Sequence, residues 1–120
     1  MRCTGFTLIE LLIAILIVAV LAAVGYPAYT SQLEYGRRTE AQRLLLDSAN
    51  ALERSYAADG VYPTTFTPVN TDYYQLSYSV AENKLTYLLS ATPNNSSASC
   101  GSLTLNQSGA TTPTTGNCWK

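Results

Sequence analysis

FTLIELLIAILIVAVLAAVGY, residues 6–26, decides what the rest of this chain can be. The fourteen positions 11–24 carry no polar side chain. As a helix, the nineteen residues 6–24 would span about 28 Å at ~1.5 Å per residue, close to the ~30 Å hydrocarbon thickness of a bilayer. Glu10 is the exception. It lies one turn inside the rod, and an acid at mid-membrane costs ~2.5–3.5 kcal/mol. Near the edge the cost is smaller, yet the carboxylate still needs a partner.

Three readings fit this stretch. A secretory signal peptide would use Arg2 as its charged region and Ala23-Val24-Gly25 as small residues at a cleavage point. One charge is sparse for that purpose, and Glu10 is out of place in the apolar block. A plain single-pass anchor leaves Glu10 unexplained. A rod that uses Glu10 to assemble beside other rods is the third, and the residues alone leave the three level.

The 120 residues allow one compact domain with one appendage. Without the apolar segment roughly 90 residues remain, enough for a small core that gains from bracing. Seven Lys and Arg against eight Asp and Glu leave a net charge of −1, a poor basis for binding nucleic acid. Histidine is absent, which excludes Ser-His and Cys-His nucleophile pairs and His-based metal sites. Lone acids such as Asp59 and Glu82 have no paired carboxylate at useful spacing. No enzyme is expected, and no catalytic, cofactor-binding or metal site.

Beyond the rod, Gly25 and Pro27 are expected to kink or melt the helix, because proline removes one backbone bond and clashes with the preceding turn. From Ala28 the pattern becomes one-faced: Ala41, Leu45, Ala49, Leu52 and Tyr56 recur at helical spacing, and charges fill the other positions. Glu34 and Arg38 form a favourable i,i+4 pair. Asp59-Gly60 supplies a helix end, and Pro63 prevents resumption. Residues 60–73 form an ordered surface loop. Tyr74, Leu76, Tyr78 and Val80 then alternate with polar residues, as do Leu85, Tyr87, Leu89 and Ala91 after a turn at 81–84. A third strand is expected at 103–107 and a weakly signalled fourth in the last ten residues. Consecutive hairpins make this an antiparallel sheet with one face on the helix. The fold class is α+β.

Gly5-Phe6-Thr7-Leu8-Ile9-Glu10 followed by an unbroken apolar run resembles the amino-terminal signature of type IV pilins, and the likeness continues through Leu21-Ala22-Ala23 and Tyr26-Pro27-Ala28-Tyr29. Ser90-Ala91-Thr92-Pro93, residues 100–109 and Thr115-Gly116-Asn117-Cys118-Trp119 are similar to the PilE-type minor pilins. The resemblance implies the type IV pilin fold, with a long amino-terminal helix packed on a small antiparallel sheet and a disulfide-bounded carboxy-terminal loop. It divides the chain into a leader at 1–5, an apolar transmembrane and assembly half-helix at 6–27, an amphipathic half-helix at 28–59, and a loop-and-sheet region at 60–120. It also implies that a prepilin peptidase cuts between Gly5 and Phe6 and methylates the Phe6 amine.

Leader removal would leave Cys100 and Cys118 as an even pair. After an export segment such a pair reads as a disulfide, with two free thiols as the alternative. Glu10 would pair with the Phe6 amine of a neighbouring subunit and set registry, or be satisfied within its own subunit, since Phe6 and Glu10 share a helix face. Implied partners are other pilin subunits, the peptidase, the inner membrane and an assembly machinery of motor ATPase, platform protein and secretin. The expected function is a filament subunit, first in the bacterial inner membrane as a single-pass precursor and then in a cell-surface pilus (fimbrium) serving adhesion, twitching motility or DNA uptake. A DNA-binding competence pilin and a type II secretion pseudopilin are the alternatives. Nucleic acid is not an expected partner, because after Tyr56 only Lys84 and Lys120 face Asp59, Asp72 and Glu82.

Overall fold

The computed structural model describes residues 5–95 and 98–119. Arg2 and Cys3 of the expected leader, Ser96 and Ser97 of the expected loop, and Lys120 lie outside the described residues. The chain divides into two compact units, Met1–Glu34 and Tyr35–Lys120. One helix, α1 (Leu8–Asp59), contributes to both.

Within the first unit every large apolar side chain from Phe6 to Val24 is at least half exposed. By length and composition this helix could cross a membrane. It starts at Leu8, two residues later than the apolar run suggested. It also continues through Gly25 and Pro27, so the expected melting is absent from the isolated chain. A single proline deletes one i→i−4 bond, and the intact ladder on both sides carries the helix across the gap. Locally, the Thr30 hydroxyl donates to the Pro27 carbonyl at 2.9 Å.

The second unit holds the core. Residues 35–59 of α1 bury Ala41, Leu45, Ser48 and Leu52, a stripe at spacings of four, three and four. Opposite lies a four-stranded sheet in the order β1-β2-β3-β4, from Tyr74–Val80, Tyr87–Pro93, Leu103–Asn106 and Thr111–Thr112, with antiparallel neighbours. Register stacks like faces. Leu76 stands opposite Ala91 and Ala91 opposite Leu103, while Tyr78 stands opposite Leu89 and Leu89 opposite Leu105. Leu45, Leu52, Leu89 and Leu103 are fully buried where helix and sheet meet.

Boundaries moved in three places. Leu85, expected on the core face of β2, is 48% exposed. The connection is longer than the anticipated turn: Ala81 N–H donates to the Thr86 carbonyl, Lys84 adopts φ 58°, and the Leu85 N–H is taken by Asn83 Oδ1. Strand β2 therefore begins at Tyr87. Tyr56, expected inside the helical stripe, is 37% exposed in the last turn of α1, where its ring lies 4.7 Å from that of Tyr62. Strand β3 ends at Asn106 rather than Gln107 because Asn106 Oδ1 folds over the following turn, accepting from the N–H groups of Ser108 and Ala110. The helix closes as expected, with Gly60 at φ 75° donating its N–H to Tyr56 O at 2.7 Å.

Rings tie the 60–73 loop to the sheet. Tyr62 packs edge-on to Tyr87, Tyr87 lies 6.1 Å from Tyr78, and Tyr78 packs edge-on to Phe66. The hydroxyls at the ends of two of these rings donate, Tyr62 to Glu53 Oε1 and Tyr78 to the Pro63 carbonyl.

Candidate functional site

Two places carry the functional expectations: the start of α1 and the disulfide-closed tail. At the first, Gly5, Phe6 and Thr7 are non-helical, and Phe6 is 90% exposed. The Gly5–Phe6 peptide bond thus lies in non-helical, exposed chain just before the helix. Thr7 is the helix N-cap. Its carbonyl accepts from Leu11 N–H at 3.2 Å, and its hydroxyl accepts from Glu10 N–H at 3.3 Å. Glu10 returns the bond: Thr7 N–H donates to Glu10 Oε2 at 3.0 Å. This reciprocal pair is a capping box, and it sets a carboxylate at the positive end of the helix.

In the uncut chain, then, Glu10 is satisfied locally, and its partner is Thr7 rather than Phe6. Phe6 lies before the helix, so it does not share a helical face with Glu10 here. Thr7 was missed at the sequence level. The signal was present, a Thr followed three residues later by a Glu directly ahead of an apolar run.

Gly25 and Pro27 lie on the exposed surface of the same helix. A side chain at Gly25 would meet nothing within 4 Å, so no packing need of this chain explains the glycine.

At the second place, Cys100 and Cys118 are bonded, with their Cα atoms 5.9 Å apart. Cys118 is buried. The buried Gln42 of α1 donates its side-chain amide to the Cys118 carbonyl, and Trp119 Nε1 donates to Thr112 O at 2.7 Å. The tail is therefore anchored to the helix at one point and to β4 at another. Sequence reasoning did not single out Gln42. A polar residue next to Ala41 at the edge of an apolar stripe gives no sign of whether it meets solvent or a carbonyl.

Electrostatically, the described residues after 60 carry one cation, Lys84, against Asp72 and Glu82. Arg37 stacks over the Tyr73 ring at 3.8 Å, so this guanidinium lies against an aromatic face. Burial, then the hydrogen bond to Glu53, pushes the Tyr62 phenol well above its ordinary value. Burial, then the charge of Glu53, pushes Tyr87 up to about 12.

Comparison with known proteins agrees with this architecture. A family described as "Type IV minor pilin ComP, DNA uptake sequence receptor" matches residues 27–104, and the "Prokaryotic N-terminal methylation motif" matches residues 1–26. Fimbrial protein EcpC of Eikenella corrodens is 41% identical over 59 residues, 49% of this chain and 39% of that protein. Type IV major pilin protein PilE of Neisseria gonorrhoeae is 42% identical over 59 residues, 49% of this chain and 35% of that protein. The chain thus spans well under half the length of these curated relatives. Among solved structures, a type IV pilin from Shewanella oneidensis superposes with a TM-score of 0.69 at 42% identity, covering 72% of this chain and 98% of that one. The non-core minor pilin PilV of Neisseria meningitidis gives 0.57 at 26% identity, covering 73% and 95%.

Proposed function

Since the chain belongs to the type IV pilin family, a family of structural rather than enzymatic subunits, we propose that it is a pilus subunit held in the bacterial inner membrane by α1 and then drawn into a surface filament. The observation that carries this is the exposure of every large apolar side chain from Phe6 to Val24. A helix apolar all round needs lipid or other helices about it. A bilayer supplies the first environment and a bundle of like helices the second.

The accessible Gly5–Phe6 bond is the place where a prepilin peptidase would cut, leaving Phe6 as the amino terminus to be methylated. The new α-amine, with an ordinary pKa near 8, is mostly cationic at neutral pH. Glu10 then has two suitors, the Thr7 N–H of its own chain and the Phe6 ammonium of a neighbour. Exchanging the first for the second costs the chain one capping bond and gains an ion pair away from water, so the pair serves register more than stability. Gly25 and Pro27 mark where the helix, with one backbone bond already missing, would bend or loosen as subunits pack. Partners on this reading are other pilin subunits, the peptidase and the pilus assembly machinery.

Intact mass of the protein from purified filaments tests the cut. The expected chain begins at Phe6 and carries one added methyl group, and a chain beginning at Met1 or Tyr26 would remove the reading. Glu10→Val should leave membrane insertion intact while lowering incorporation into filaments at least tenfold.

A second reading, reception of DNA, is supported by the description of the family matching residues 27–104. The charge of the sheet region opposes it, since phosphate contacts need Lys and Arg. A mobility shift at low micromolar protein that weakens steeply with salt would favour it. No shift would leave the filament role standing alone.

A further inference from the structure

Between Glu10 and Glu34 the chain carries no charged residue. As helix, positions 11–33 amount to about 34 Å at ~1.5 Å per residue, more than the ~30 Å of hydrocarbon to be crossed. Membrane helices are held at a given depth by Lys and Arg beside their ends or by belts of aromatic side chains. Here no cation follows Val24 until Arg37, so charge does not fix where the helix leaves the lipid. Without another restraint the rod could slide over several residues at little cost.

Two tyrosines stand in that interval. Tyr26 is 71% exposed and Tyr29 63%, and neither ring nor hydroxyl has a partner among the described residues. The other seven tyrosines are engaged. Tyr74 is buried, four pack ring on ring, and Tyr35 and Tyr73 lie under arginines. Three apart on one helix, Tyr26 and Tyr29 share a face. Each joins an apolar ring to a hydroxyl, the combination that favours the layer between lipid tails and water.

Distance along the helix selects the same layer. From Leu8, where α1 begins, it is about 27 Å to Tyr26 and about 32 Å to Tyr29, so the pair brackets the ~30 Å thickness. Pro27, between them, deprives the Ala23 carbonyl of its i+4 donor. That loss is costly in mid-hydrocarbon and slight within a turn of water.

We infer that Tyr26 and Tyr29 are the interfacial anchors of the rod, seated in the headgroup layer of a phospholipid bilayer, and that they set its depth. With the pair at one boundary, Leu8 lies at the other and the Gly5–Phe6 bond lies just outside it. Glu10 then sits about 3 Å inside, close enough for its carboxylate to reach the headgroups. The two rings thus position both the bond to be cut and the acid, from the opposite side of the membrane. This rests on the membrane-held subunit proposed above and adds the side chains that hold it in place. Both belong to the unit Met1–Glu34.

The test places the full chain, one copy per disc, in phospholipid nanodiscs and reads amide relaxation by a water-soluble gadolinium chelate along residues 18–34. Protection up to Val24, with the changeover to strong relaxation at 26–29, is expected. Tyr26→Leu with Tyr29→Leu should carry the changeover about one turn further, to 30–33. Tyr26→Trp with Tyr29→Trp, which keeps a ring with a polar edge at each position, should leave it in place. A changeover before Val24 or after Leu33 in the unaltered chain would overturn the inference. So would a leucine variant that keeps the original changeover, or a tryptophan variant that moves with the leucine one. In each of those cases the chain is in the lipid, and the membrane reading stands. A chain that elutes without lipid on gel filtration would overturn both.

Discussion

Gln42 sits in the core of the second unit with an apolar neighbour on either side in the stripe, and its amide holds the carbonyl of Cys118. Removing a buried donor leaves the acceptor to bear its desolvation unaided, at ~1–3 kcal/mol. Gln42→Ala should therefore lower the unfolding free energy of the disulfide-intact protein by that amount, read as a lower urea midpoint with an unchanged denaturant slope. Leu89→Ala acts differently. It opens a cavity at a fully buried position, and ~2–5 kcal/mol is expected in the same measurement. Leu46, on the exposed side of the same helix, is the control, and its replacement by Ala should change stability by less than ~0.5 kcal/mol.

At the scale of elements, the tail depends on a covalent closure. β4 is two residues long, and a strand that short contributes little pairing by itself. The bond between Cys100 and Cys118, 18 residues apart, restricts the unfolded tail and adds ~3 kcal/mol in the chain-entropy model. The double variant Cys100→Ser, Cys118→Ser should lower the melting temperature and expose the tail first, seen as early amide exchange at Cys118 and Trp119 while β1 and β2 stay protected. The bridge from Arg43 to Asp47 lies on the helix surface, and its loss should be barely measurable. At the other end of α1, Thr7→Val removes the hydroxyl that accepts from Glu10 N–H. It should cost ~1 kcal/mol of helix stability, while the bond from Thr7 N–H to the Glu10 carboxylate is retained.

For the molecule as a whole, the aromatic cluster ties stability to alkaline pH. Tyr62, Tyr78 and Tyr87 are all held above the ordinary tyrosine value by burial, with Glu53 adding to the effect at Tyr62 and Tyr87. A folded state that raises a phenol's pKa binds its proton more tightly than the unfolded state. The stability this contributes is whole below pH ~10, the unfolded value, and drains away as pH rises toward 12 and beyond. Melting temperature should hold steady to about pH 10 and then fall as tyrosinate absorbance grows. Tyr62→Phe should flatten that fall, at the expense of the hydrogen bond to Glu53.

Much was settled by local pattern. An apolar run with one acid, an amphipathic continuation and a seven-residue alternation at Tyr74–Val80 need no tertiary information, because periodicity states which face is buried whatever covers it. The start of β2 was illegible for the opposite reason. Leu85 keeps the alternation, yet it falls inside a six-residue connection, 81–86, and which hydrogen bonds close a turn depends on the partner strand. Pro27 was read as a point of kinking or local melting, but one missing bond is weighed against all the others in a 52-residue helix, and that sum is not local. Thr7 and Glu10 were both visible and four letters wide. That they hold each other, and that Gln42 holds the tail, was decided only when the folded backbone placed each donor within reach of its acceptor.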